Sequence, residues 1–268
     1  MRILVVGAAG RVGRHIVRAV IEEGKTELGA AIERVGHELL GKDAGSVAGV
    51  GEVGVPITSD LEAGLAASDV VIDFSSPAAA APVARAAARA GRGLVVGTTG
   101  LDSSATEALR AAARSVPVVA APNMSVGVNV VLELLARAAA MLGASYDLEI
   151  FEMHHRGKID APSGTALRMA GVVAAERGLD PRLAARHGRS GALGPRPEEE
   201  IGIHAARGGD VVGDHVAIFA GPGERVEIVH RAHGRDTFAR GAVRAALWVA
   251  GRAPKLYDMS DVLRVEVA

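Results

Sequence analysis

The run Gly7-Ala8-Ala9-Gly10-Arg11-Val12-Gly13, set directly behind Ile3-Leu4-Val5-Val6, limits what this chain can fold into more than any other feature. A short apolar, β-branched run bounded by glycine reads as a buried strand. Beyond the glycines, Val12, Ile16, Ala19 and Val20 recur at helical spacing while Arg14, Arg18 and Glu22 fall elsewhere, so an amphipathic helix is expected, ended near Gly24. A second apolar run, Leu28–Ile32, follows. Strand, turn, helix and strand make one βαβ unit, which requires a parallel sheet covered by helices.

The alternation continues through Val70–Phe74, Leu94–Val96 and Val118–Ala120, separated by alanine-rich stretches. The expected fold is therefore α/β, with a Rossmann-type, doubly wound parallel sheet over residues 1–125. A helix starting near Val126 marks a change of texture. Arg177–Glu200 is rich in glycine, proline and charge and predicts a long surface loop. Farther on, His215–Phe219 and Arg225–His230 flank Gly221-Pro222-Gly223, which predicts antiparallel strands in a second, mixed α+β domain. A last helix, with Phe238, Ala242, Ala245 and Val249 along one side, fits against either domain.

Composition narrows the function. At 268 residues and 49% apolar content there is enough chain for two cores. Thirty basic against 31 acidic residues leave a formal charge of -1, so no bulk attraction to nucleic acid or membrane is expected. No cysteine is present, which excludes disulfides and thiolate chemistry. Ser115–Leu132 carries no charge, but Pro117, Pro122, Asn123 and Asn129 interrupt it, and a membrane span is not expected. The start of the chain is too short an apolar run for a signal peptide, so a cytoplasmic protein is expected.

Glycines at the first, fourth and seventh positions of a strand-to-helix turn suit a pyrophosphate, because backbone N–H groups approach closely and the helix supplies its positive end. Relative to the G-x-G-x-x-G dinucleotide fingerprint, the second glycine is replaced by Ala9 or displaced to Gly10. Glu33, twenty residues past Gly13 at the end of the second strand, is placed to accept hydrogen bonds from an adenosine ribose. Arg34 beside it offers a partner to a 2′-phosphate, so use of both NADH and NADPH is expected. Gly97-Thr98-Thr99-Gly100 and Ala121-Pro122-Asn123-Met124-Ser125 end predicted strands, where such folds bind ligands and where the nicotinamide half would lie.

The segment with the most chemistry is Glu152-Met153-His154-His155-Arg156-Gly157-Lys158-Ile159-Asp160-Ala161-Pro162-Ser163-Gly164-Thr165-Ala166. Histidine is a side chain suited to taking and giving a proton, which makes His154 a candidate acid or base, and Lys158 four residues on can supply a second proton or a fixed positive charge. Pro162 to Thr165 reads as a helix start, capped by Ser163 or Thr165, whose unshielded Gly164 N–H suits a carboxylate; the helix should run to Glu176. Adjacent histidines on an extended chain point to opposite faces and no ligand pair has helical spacing, so no metal is expected.

Taken with the glycine turn, Glu33-Arg34, Gly97-Thr98-Thr99-Gly100, the Asn123-x-Ser125-x-Gly127-x-Asn129 run and Gly241-Ala242-Val243-Arg244-Ala245-Ala246-Leu247-Trp248, this segment resembles the dihydrodipicolinate reductase family along nearly the whole chain. The resemblance implies a cofactor domain of residues 1–125 with 236–268, taking back the last helix, and a substrate-binding and oligomerisation domain of residues 126–235 in a homotetramer. It implies reduction of 4-hydroxy-tetrahydrodipicolinate to tetrahydrodipicolinate with loss of water, using NADH or NADPH, in lysine and diaminopimelate biosynthesis. His154 is then the catalytic proton donor or acceptor, Lys158 a proton donor, and His155, Ser163, Gly164 and Thr165 bind substrate. Cofactor contacts fall on Gly7, Ala8, Ala9, Gly10, Arg11, Val12, Glu33, Arg34, Gly97, Thr98, Thr99, Ala121, Pro122, Asn123 and Met124. An aspartate- or diaminopimelate-type dehydrogenase would share the first domain without needing His154 and Lys158, as would a catalytically silent dinucleotide sensor.

Overall fold

A computed structural model describes residues 1–264, which form two compact units: residues 1–126 with the segment from Arg235 onward, and residues 127–234. Residues 265–268, expected in the first domain, lie outside the described residues.

The first unit opens with β1 (Arg2–Val6), α1 (Arg11–Glu22) and β2 (Glu27–Ile32). It continues through α2 (Ala44–Ala48), β3 (Ile57–Thr58), α3 (Leu61–Ala66), β4 (Val70–Asp73), α4 (Pro77–Arg89), β5 (Gly93–Val96), α5 (Ser103–Ala112) and β6 (Val118–Ala120). The second unit holds α6 (Val126–Leu142) from its second residue on, β7 (Asp147–His154), α7 (Gly164–Glu176), α8 (Pro181–Ala184), β8 (Ala185–His187), β9 (Ile201–Arg207), β10 (Gly213–Gly221) and β11 (Glu224–Ala232). The chain then returns to the first unit as α9 (Asp236–Val249), β12 (Leu256–Tyr257) and α10 (Met259–Leu263).

Seven parallel strands in the order β12-β6-β5-β4-β1-β2-β3 make the first sheet. Chain direction across the sheet reverses beside β1, between β2 and β4, and the glycine turn leaves the sheet there. Buried Ile3, Leu4 and Val5 send side chains to both faces, which is why β1 is uniformly apolar rather than alternating. On one face Ile16, Val17 and Val20 of α1 pack with Ala242, Ala246 and Val249 of α9; on the other, alanines of α4 and α5 close over Leu4, Val71 and Leu94. The last helix thus belongs to the first unit.

In the second unit the sheet order is β11-β10-β7-β9-β8, antiparallel at β11-β10 and β10-β7 and parallel at β7-β9 and β9-β8. Leu148 and Ile150 of β7, Ile201 and Ile203 of β9 and Phe219 of β10 face Leu135 of α6 and Met169 and Val173 of α7. Segment 177–200 is for the most part the exposed loop expected, but it also contains α8 and the edge strand β8. The charges that suggested a loop are used internally, since Glu149 accepts two hydrogen bonds from Arg189, at 2.7 and 3.0 Å, and one from Arg196 at 3.0 Å. Among the described residues no helix is long and apolar enough to cross a membrane.

Candidate active site

Within the first unit the glycine turn is shaped by contacts that exclude side chains. Gly7 has φ +80°, and a Cβ on it would meet the Phe74 carbonyl oxygen at 2.7 Å. On Gly13 a Cβ would lie 1.9 Å from the Gly7 carbonyl oxygen, so α1 must start with glycine to sit this close. Gly10 caps α1 with no side-chain hydrogen bond to its first-turn amides. Ala8 and Ala9 are buried beneath the turn, and the Ala9 N–H donates to Glu33 Oε2 at 3.3 Å. Glu33 is therefore fixed beside the turn, while Arg34, whose N–H donates to Glu33 Oε1 at 3.0 Å, is exposed.

A cleft of about 460 Å³ opens in front of the turn. It brings together three segments singled out in the sequence: Gly10 to Val12, Gly97 to Thr99, and Pro122 to Met124. Ala121 lines a smaller neighbouring pocket with Thr98, Thr99 and Pro122. The sequence reading missed Phe74, Ser75 and Phe238, which also line the cleft. Phe74 lies on Gly97, where a Cβ would come within 2.0 Å of its ring. Beneath it Asp73 is fully buried; burial raises its pKa, opposed by the Ser75 hydroxyl and N–H, which donate to Oδ1 at 2.5 and 3.0 Å. A glycine turn, a fixed carboxylate one strand away and a cleft at the strand ends fit a dinucleotide.

In the second unit the histidine segment leaves the sheet at the end of β7. Residues two apart on a strand share a face, so Glu152 and His154 both turn inward. The Glu152 side chain is fully buried and accepts from four donors: His154 Nδ1 at 2.6 Å, Arg207 at 2.8 and 2.9 Å, and the Ser163 N–H at 3.0 Å. Burial alone would raise its pKa, but the hydrogen bonds from Arg207, His154 and the Ser163 N–H outweigh it and hold the carboxyl below its usual range. Arg207 also donates to the Asp160 carbonyl at 2.6 Å.

Ser163 is buried and caps α7, its Oγ accepting from the Ala166 N–H at 3.2 Å. The same hydroxyl meets His215 Nε2 at 3.1 Å. His215 is buried beside its β-ladder partner Glu152, edge-on to His154 with ring centroids 5.2 Å apart. Burial, followed by the nearby His154 and His230, pushes its pKa down to about 4. Lys158 Nζ is held by Asp160 at 2.7 and 2.8 Å, and His155 stands over Gly157, where a Cβ would be 3.5 Å from its ring. Gly164 is exposed, with open space where a side chain would be. The sequence reading missed Glu152, Arg207 and His215 as site residues: strand periodicity could have placed Glu152 on the face of His154, whereas Arg207 and His215 arrive from other strands and carried no local signal. Among the described residues no group of three His, Asp or Glu is arranged to hold a metal ion.

The fold and the glycine-turn cleft are those of a dinucleotide-binding protein. The family described as dihydrodipicolinate reductase, N-terminus, matches residues 1–124, and that described as dihydrodipicolinate reductase, C-terminus, matches residues 127–263. The chain belongs to the dihydrodipicolinate reductase family. It is 53% identical over 262 residues to the 4-hydroxy-tetrahydrodipicolinate reductase of Alkalilimnicola ehrlichii, covering 98% of each chain. Identity to the protein of the same name from Anaeromyxobacter dehalogenans (strain 2CP-C) is 52%, over 98% of this chain and 97% of the other. Among solved structures, dipicolinate-bound dihydrodipicolinate reductase from Paenisporosarcina sp. TG-14 matches with TM-score 0.78 and 24% identity, over 98% of this chain and 99% of that one. A probable dehydrogenase from Thermotoga maritima matches with TM-score 0.62 and 13% identity, over 98% and 92%. At these identities the structural likenesses show a shared fold and nothing about the reaction.

Proposed function

We propose that the protein is a cytoplasmic reductase of lysine and diaminopimelate biosynthesis that converts 4-hydroxy-tetrahydrodipicolinate to tetrahydrodipicolinate with loss of water. The observation that carries this reading is the buried Glu152–His154 pair beside the Ser163-capped helix, in a chain whose other unit carries the glycine-turn cleft. NADH or NADPH, when bound, supplies the hydride. Gly7 to Val12 would hold the pyrophosphate, Glu33 and Arg34 the adenosine ribose, and Gly97, Thr98, Thr99, Ala121, Pro122, Asn123 and Met124 the nicotinamide half.

One proton accompanies the hydride, and the hydroxyl of the substrate leaves as water. His154 Nε2 and Lys158 Nζ are the groups assigned to this proton traffic. A cyclic dicarboxylate also needs partners for two anionic groups. The open Gly164 at the start of α7, with Ser163 and Thr165, suits one carboxylate, aided by the positive end of the helix dipole. His155 and Lys158 suit the other. Lys158 leaves Asp160 at little cost, because an ion pair whose acid is 57% exposed contributes at most about 1 kcal/mol.

Self-assembly into a homotetramer fits the outer face of the second sheet. Phe151, Val216 and Val229 form one row across three strands, with Phe151 45% and Val229 43% exposed.

The reading is tested by following loss of reduced-nicotinamide absorbance while the labile substrate is generated from pyruvate and aspartate semialdehyde. Oxidation should require both precursors. Cofactor binding without any oxidation would overturn the assignment in favour of a silent dinucleotide sensor.

A further inference from the structure

We infer that Glu152 and Arg207 are positioning residues that fix His154 as its Nδ1–H tautomer and join the proton-transfer group to both of its neighbouring loops; this rests on the role proposed for His154. The donors around the carboxylate decide the tautomer. Glu152 is an acceptor-only group when ionised, and around it stand two Arg207 nitrogens, the Ser163 N–H and one ring nitrogen of His154. Three of these are donors in every protonation state. The fourth, His154 Nδ1, must also donate to satisfy a carboxylate oxygen 2.6 Å away. Neutral His154 therefore carries its proton on Nδ1, and Nε2 is the nitrogen that takes and gives a proton. Gly213 leaves room there, since a Cβ on it would lie 3.0 Å from Nε2.

The same carboxylate orders the rest of the constellation. Its bond to the Ser163 N–H fixes the cap of α7, and Arg207 reaches on to the Asp160 carbonyl at 2.6 Å, next to the acid that holds Lys158. One buried ion pair thus touches the imidazole, the helix start and the lysine turn. Removing either charge would leave the His154 ring, the Ser163 N–H or the Asp160 carbonyl without its partner, so the pair acts through the directions of its hydrogen bonds.

Glu152→Gln makes a specific prediction. If the amide nitrogen replaces Oε1 it faces two donors, Arg207 and the Ser163 N–H; if it replaces Oε2 it faces one Arg207 nitrogen and His154 Nδ1. The second placement has fewer conflicts, and it requires His154 Nδ1 to accept. The ring then carries its proton on Nε2 and cannot exchange it there without becoming an anion.

The test is ¹⁵N NMR of histidine-labelled full-length protein without substrate, joined to steady-state kinetics. The parent should show neutral His154 as Nδ1–H and Glu152→Gln as Nε2–H, with kcat reduced roughly a hundredfold and the KM for NADH unchanged. Arg207→Gln should keep the Nδ1–H tautomer, lose less kcat, and raise the KM for the cyclic dicarboxylate by loosening the Asp160 turn. An Nε2–H tautomer in the parent overturns the inference even if the Glu152→Gln variant does not fold. Unchanged tautomer and kcat in a folded Glu152→Gln variant does so as well. If the parent oxidises no cofactor, the functional reading fails, while the tautomer still decides the geometry.

Discussion

Acid should destabilise this protein well above the pH at which carboxylates titrate, and His215 sets the size of the effect. This residue is 4% exposed, and burial, with His154, His230 and Lys158 disfavouring a further positive charge, lowers its pKa from 6.5 to about 4; Glu152 opposes this. One nitrogen meets Ser163 Oγ, and Nδ1 has no hydrogen-bond partner among the described residues. The folded protein therefore resists a proton that the unfolded chain accepts. With the folded pKa depressed, the stability contribution of His215 is complete above pH 6.5 and is lost as pH falls from 6.5 to 4. Over that whole window the loss is about 3 kcal/mol, and between pH 7.5 and pH 5 about 2 kcal/mol. His230, also lowered by burial, acts in the same direction. Glu149, held at about 2 by its hydrogen bonds from Arg189, His204 and Arg196 against the effect of burial, adds acid sensitivity only below its ordinary 4.5. Urea unfolding followed by far-ultraviolet circular dichroism, at fixed protein concentration, should show the parent losing about 2 kcal/mol more than His215→Leu between pH 7.5 and pH 5. Equal losses in the two proteins would show that His215 does not carry the effect.

Two further outcomes follow from the glycine turn. Gly13→Ala places a methyl 1.9 Å from the Gly7 carbonyl oxygen, so α1 must shift; we expect a loss of roughly 1–3 kcal/mol in urea unfolding and weakened NADH binding by fluorescence titration. Unchanged values would mean that the turn does not set the approach of α1. Glu33 fixed beside the turn and Arg34 exposed next to it should let both cofactors serve, with Michaelis constants for NADH and NADPH within about a thousandfold, equivalent to ~4 kcal/mol. A wider separation contradicts the pairing of roles assigned to these two residues.

Much of this architecture is legible in the chain because its strongest signals are local. The apolar run Ile3–Val6 followed by closely spaced glycines leaves few alternatives to β1 and α1, and Ser163 caps a helix that ends at Glu176 as the sequence suggested. Two-residue strands such as β3 and β12 show no periodicity, so nothing in Ile57–Thr58 or Leu256–Tyr257 announces them. Within the surface loop of segment 177–200, α8 and β8 went unread, and its arginines appear solvated until β7 supplies Glu149 as their partner. The site divides in the same way. His154 and Lys158 stand out within one short segment, while Glu152 was passed over although strand periodicity puts it on the face of His154. Arg207 and His215 join them only through the register of β9 and β10 on β7, which depends on pairings more than fifty residues apart that no local pattern encodes.

Whether His154 moves the proton that accompanies hydride transfer is decided by the turnover of His154→Gln, measured beside its affinity for NADH. We expect kcat to fall by roughly a hundredfold or more, the usual share of general acid–base catalysis, while the dissociation constant for NADH stays within about twofold. Turnover equal to that of the parent enzyme would remove His154 from the chemistry.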